Sequence, residues 1–241
     1  MRNATAGVVF VALLSAGSLS ENARATQESL ADRVLTPDLL GNPAIDLAPS
    51  PQMSSDYAAW RIALMGRVPI GFEGAPVGSD DRAATRQPID LAGRRVRDAL
   101  ELVVQTDRRY AWREDRIIVL RPQSAFTDAR DPLNRTVDGI AWNGVTAEET
   151  LARVSDMIRQ GPRPPLQPAH DERRLNVQLS SGQIVDVLNE IARVHGGLMW
   201  SVVLETAPAG RMVRLSFKWF DGHAVSIGRT LPAAAVAPSR R

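Results

Sequence analysis

The chain has 241 residues, 29 Lys+Arg against 27 Asp+Glu, a formal net charge of +2 and no cysteine. That near-balance excludes the strong positive field of a general nucleic-acid binder. The lack of cysteine excludes both a disulfide framework and thiolate metal sites, so apolar burial has to hold the fold.

Arg2 is followed by an unbroken apolar stretch, AGVVFVALLSAG from Ala6 to Gly17, and then by Ala23-Arg24-Ala25. A basic end, a short greasy core and a small-x-small triplet form the order of a secretory signal. As a helix the stretch spans about 18 Å at ~1.5 Å per residue, short of the roughly 30 Å bilayer core, so no transmembrane segment is expected in the mature chain. Residues 1–25 are read as a signal peptide cut between Ala25 and Thr26. That places the protein in the periplasm or outside the cell.

Residues 26–54 carry Pro37, Pro43, Pro49 and Pro51, which delete backbone donors and favour extended geometry. A linker with one short helical turn is expected. Ser54 and Ser55 then offer caps for a helix through Tyr57, Trp60, Ile62 and Leu64, followed by a strand over 68–72.

An internal repeat follows, at an offset of 88 residues: IDLAGRRVRDALELVVQTDRRYAWR from Ile89 lines up without a gap on VQLSSGQIVDVLNEIARVHGGLMWS from Val177. Leu91 matches Leu179, Asp98 matches Asp186, Leu100 matches Leu188 and Trp112 matches Trp200. In each copy an alternating strand leads into a helix. The apolar stripe is Val96, Ala99, Leu100, Val103 and Val104 in the first, and Ile184, Val187, Leu188, Ile191 and Val194 in the second. A strand bearing the tryptophan comes next, then a closing strand from Arg116 or Arg211. Upstream of the second copy, TVDGIAW reads as a strand, and Thr146 with Glu149 as a capping box for a helix ending near Ile158. The proline-rich GPRPPLQPAHD between them reads as a loop, and residues 222–241 as a disordered tail.

The expected fold is therefore α+β: two small modules of sheet plus helices, 55–122 and 135–221, joined by a linker at 123–134. The first module resembles the short N-terminal domain shared by secretins and TonB-dependent receptors (the STN domain). The residues that carry the likeness are Gly93, Val96, Ala99, Leu100, Trp112, Ile118, Val119 and Pro122. In the second module Leu179, Leu188, Trp200 and the strand pair match, with Val187 where the family has Ala. The resemblance implies tandem βα-βαββ units that transmit contacts between envelope proteins. No secretin pore region or receptor barrel follows them.

The inventory for chemistry is thin. His170, His195 and His223 are far apart in sequence and show no HxH, HxxxH or HxxE spacing that would set two ligands on one face. His195 reads as a helix C-terminal residue and Gly196-Gly197 as the helix stop. Asp98 and Asp186 read as exposed helix positions. Arg94, Arg95, Arg97, Arg108, Arg109, Arg113 and Arg116 concentrate positive charge, but Glu101, Asp107, Glu114 and Asp115 are interleaved, which points to a solvated face or an acidic protein partner. Trp112 and Trp200 read as core. No catalytic, cofactor or metal residue is assigned, and no cofactor is expected.

The expectation is a non-enzymatic interaction and assembly module of the bacterial envelope, accessory to a secretion or TonB-dependent uptake system. It would bind envelope proteins and no nucleic acid, with self-association left open. The alternative is a periplasmic small-ligand binder or enzyme with its site between the modules. Each closing strand comes last in its module, which suggests the sheet margin. Ile117, Val119, Val213 and Leu215 are therefore the candidate residues of partner-binding edge strands.

Overall fold

The computed structural model describes residues 29–36, 54–75, 91, 93–158, 168–207 and 210–230. The signal peptide and its cleavage residues Ala23, Ala25 and Thr26 lie outside the described residues. The fold is α+β, as expected, with four α-helices and two β-sheets among the described residues.

Helix α1 (Ser55–Gly66) starts where the serines predict, the Ser54 hydroxyl accepting the Tyr57 N–H at 3.3 Å. It leads into strand β1 (Ile70–Glu73). Leu91 is fully buried yet belongs to no strand, so the leading strand expected around it is not formed at that residue; Ile89 lies outside the described residues. Helix α2 (Val96–Thr106), strand β2 (Tyr110–Glu114) and strand β3 (Ile118–Pro122) complete the first unit.

Strand β4 (Thr136–Val145) and helix α3 (Ala147–Ile158) follow. The capping box of α3 is complete: the Thr146 N–H donates to the Glu149 carboxylate at 3.0 Å, and the Glu149 N–H to the Thr146 hydroxyl at 3.1 Å. Then come β5 (Leu175–Gln183), α4 (Ile184–His195), β6 (Leu198–Ala207) and β7 (Gly210–Trp219). A further strand, β8 (Ala224–Thr230), occupies what reads in sequence as disordered tail. Its alternation of Val225 and Ile227 with small residues lets it pair with β7 along its whole length, which offsets the entropy of ordering it.

Helices α2 and α4 open at Val96 and Ile184, and β2 and β6 open at Tyr110 and Leu198, an offset of 88 residues in both cases. One hydrogen bond is repeated as well. The Trp112 indole N–H donates to Glu101 at 2.9 Å, and that of Trp200 to Asn189 at 3.1 Å, so each tryptophan is tied to the equivalent position of its preceding helix. Trp200 is fully buried, Trp112 only half-buried.

The two units do not keep separate sheets. Six strands form one mixed sheet in the order β2-β3-β1-β6-β7-β8, in which β1 lies parallel to both β3 and β6. Strand β1 carries IGFE, buried on both faces, as a central parallel strand must be. Ile70, Phe72, Ile118, Leu120 and Met199 point to α1 and α2 on one face, while Val119, Trp200, Val202, Val213, Leu215 and Phe217 point to α3 and α4 on the other. The β4–β5 ribbon adds Ile140, Val145, Leu175, Val177 and Leu179 to the second core.

Part of the expected linker also packs. Residues 30–32 form the short helical turn, Val34 bridges to Arg95, and Leu35 is fully buried against the first unit. Its proline-rich remainder, 37–53, lies outside the described residues.

Candidate functional site

The sheet order moves the candidate edges. Strand β3 lies between β2 and β1, and β7 between β6 and β8, so Val119, Val213 and Leu215 are interior, core-facing strand residues, while Ile117, also buried, lies in the turn before β3 and in no edge strand. The reasoning from chain order failed because β1 crosses over to take the open side of β3, and β8 takes that of β7. Among the described residues the large sheet ends at β2 and β8.

These two edges differ. Strand β2 spans five residues and ends in Arg113-Glu114, with Arg113 stacked 4.1 Å over the Phe126 ring and Glu114 bound to the Ser29 hydroxyl and the Leu30 N–H. Charge and side-chain traffic guard it. Strand β8 carries no charge from Ala224 to Gly228; Val225 is buried, and Ala224, Ser226 and Gly228 are exposed. Its turn fixes which backbone groups are free. The Gly222 N–H donates to the Trp219 carbonyl at 3.1 Å and the Trp219 N–H to the His223 carbonyl at 2.8 Å, a three-residue hairpin closed by Gly222 at φ 94°. With Trp219 facing His223 as a hydrogen-bonded pair, alternation turns the N–H and C=O of Ala224, Ser226 and Gly228 away from β7.

The same hairpin carries a site that sequence spacing conceals. All three histidines of the chain meet around Trp219. His170 and His223 stack face to face, centroids 3.8 Å apart and planes within 4°, while the indole meets His170, His223 and His195 edge-on at 5.3, 5.2 and 6.1 Å. His170 Nε2 lies 2.6 Å from the Asp221 carboxylate, and the His170 backbone N–H donates to Glu148 of α3 at 2.7 Å. Asp221 also accepts the His223 N–H; although burial raises its pKa, these hydrogen bonds bring it below the usual carboxylate value.

His195 ends α4, as the sequence suggests, and Gly196 follows in the left-handed conformation at φ 71°. The imidazole is buried, however. Its Nδ1 accepts the Gly197 N–H at 3.2 Å, which leaves Nε2–H to donate to Asp171 at 3.2 Å and fixes the neutral tautomer. Burial and the neighbouring Arg173 guanidinium push its pKa down, against the pull of Asp171 and Glu148. Arg173 also caps α4 by donating to the His195 carbonyl. The only traces of this site in the sequence are the closeness of His170 to Asp171 and of His223 to Asp221. Among the described residues no group of three or more His, Cys, Asp or Glu side chains has metal-holding geometry, because the rings stack instead of converging on a point.

A second polar cluster is sealed inside. Glu73, at the end of β1, accepts from Arg121 Nε at 2.5 Å, and Arg121 also reaches Asn134 at 3.0 Å and Asp131 at 3.4 Å. Two carboxyls share one guanidinium in a dry place, so one proton stays. Burial, and a hydrogen bond with Asp131, push Glu73 up to about 8 against the pull of Arg121. Beside Asn134, a groove of about 510 Å³ is lined by Phe126, Thr127, Arg135, Thr136 and Gln183.

Asp98 is exposed, but Asp186 has a structural task, accepting the Gln183 N–H at 2.7 Å to cap α4. The basic concentration is largely neutralised within the chain: Arg97 pairs with Asp32 at 2.7 Å, Arg109 with Asp107 at 2.7 Å and Arg116 with Glu190 at 3.3 Å. No helix among the described residues is long and apolar enough to cross a membrane. No protein-family model, curated protein or solved structure matches this chain.

Proposed function

We propose that this chain is an exported, non-enzymatic assembly module of the bacterial envelope, periplasmic or secreted and built on STN-like units, that binds another envelope protein by strand addition at β8. The observation that carries the reading is the β8 edge, to which no other described strand is paired. Sheet margins normally bear charge, proline or a bulge, and β8 presents five uncharged residues, 224–228, ahead of Arg229, with three outward-facing backbone pairs. An added strand would satisfy those groups, and its alternate side chains would continue the apolar face begun by Val225 and Ile227.

Ser226→Pro is the discriminating variant, because the Ser226 N–H points away from β7 and its loss breaks no backbone pair with that strand; the 2.8 Å hydroxyl bond to Ser216 is lost equally in Ser226→Ala. The protein recovered from the envelope fraction, beginning at Thr26, should capture a partner from envelope extract. Ser226→Ala should capture it equally well and Ser226→Pro should lose it. Undiminished capture by a Ser226→Pro protein whose circular dichroism is native would refute strand addition at β8, and recovery of the uncut Met1 chain from the cytoplasm would refute export.

A further inference from the structure

We propose that His170, His195 and His223 form a proton-operated clasp around Trp219, holding the β7–β8 turn against the segment before β5 at neutral pH and releasing it in mild acid. The clasp joins three parts of the chain: 168–173, the C-terminus of α4, and the turn 219–223 that launches β8. The first and last of these parts meet in the His170–His223 stack and the His170–Asp221 bond.

Imidazole is the side chain whose ordinary pKa lies in the range of mild acidification. Uncharged, two imidazole rings stack face to face without repulsion. A charge on the His170 ring would be balanced by Asp221 at 2.6 Å. A charge on the His223 ring as well would sit 3.8 Å from that one, with Asp221 already engaged by the His170 ring and the His223 backbone N–H. His195 resists for a different reason. A proton on Nδ1 would confront the Gly197 N–H at 3.2 Å and Arg173 at 3.5 Å, both of them donors. The carboxylates facing the cluster are Asp171 on the segment, Glu148 on α3 and Asp221 on the turn; Arg173 is the opposing cation. Each carboxylate already has a partner in the neutral arrangement. Added protons therefore drive the rings apart, and the turn moves with His223. The inference stands on ring geometry and holds whether or not β8 takes up a partner strand.

Hydrogen exchange of the full chain at pH 7.5 and 5.5, corrected for intrinsic rates, tests it. Protection of 168–175 and 219–228 should fall by about tenfold or more at the lower pH while that of α2 stays level. His223→Phe keeps the stacking surface without the proton and should change less than twofold over the same range. Should it fail to fold, His170→Gln, whose amide can still donate to Asp221, replaces it in the comparison. Wild-type protection that is unchanged at pH 5.5, or that falls equally in α2, overturns the clasp, as does an undiminished loss in the folded variant.

Discussion

Glu73 shows how a single carboxyl is governed by the strand that carries it. Being last in a strand buried on both faces, it cannot reach water, and Arg121 on the neighbouring strand must also serve Asp131. Its pKa of about 8 against an ordinary 4.5 means that the folded protein holds a proton there which the unfolded chain gives up. The sign follows from linkage. Stability from this group is complete below about 4.5 and drains away as pH rises through about 8, with a slope on the order of 1 kcal/mol per pH unit inside that window. Urea midpoints measured from pH 5 to 9 should therefore fall between pH 5 and about 8 and level off above it. Glu73→Gln, uncharged throughout, should flatten the fall; an equal slope in the variant would show that Glu73 is ionised in the native state.

The seam between β1 and β6 is where the two units become one sheet. Gly71 lies opposite Trp200 in the register, and a Cβ added there would come within 2.2 Å of the indole. Glycine is thus required by close approach and not by its backbone angles. The indole N–H is held by Asn189 of α4, which keeps the ring from turning away from Gly71. Gly71→Ala should destabilise the protein by ~1–3 kcal/mol through overpacking. Trp200→Phe, with a smaller ring, should be less harmful in that background than alone, a coupling that a double-mutant cycle of chemical denaturation would measure. Strict additivity of the two would mean the seam adjusts without strain.

Because the six-stranded sheet is shared, the α1/α2 core and the α3/α4 core lie back to back on the same strands. Neither unit can unfold without exposing one face of the other. A single cooperative transition is expected, with tryptophan fluorescence and far-ultraviolet circular dichroism coinciding. Leu100 of α2 and Leu188 of α4 are both fully buried, on opposite faces. Leu100→Ala and Leu188→Ala should each shift that whole transition by ~2–5 kcal/mol. Two resolved transitions, each moved by only one substitution, would show independent units after all.

Local and periodic properties were legible in the chain alone. The stripes of α2 and α4, the Ser54 and Thr146 caps and the Gly196 stop each depend on residues within one or two turns, where propensity and hydrogen bonding act without help from distant segments. Strand order was not legible. Which strand lies at a margin depends on what else pairs with it, and a parallel crossover such as β1, or a late strand such as β8, leaves no mark on the sequences of β3 and β7. Hence Val119 and Leu215 read as edge residues and proved interior. The histidines tell the same lesson at a site: residues 170, 195 and 223 share no motif, and only the packing of α4 and the β7–β8 turn against the entry to β5 sets their rings around one indole. Sequence dictated the elements through short-range physics, while the sheet edges and the histidine cluster were decided by long-range pairing, which no local pattern encodes.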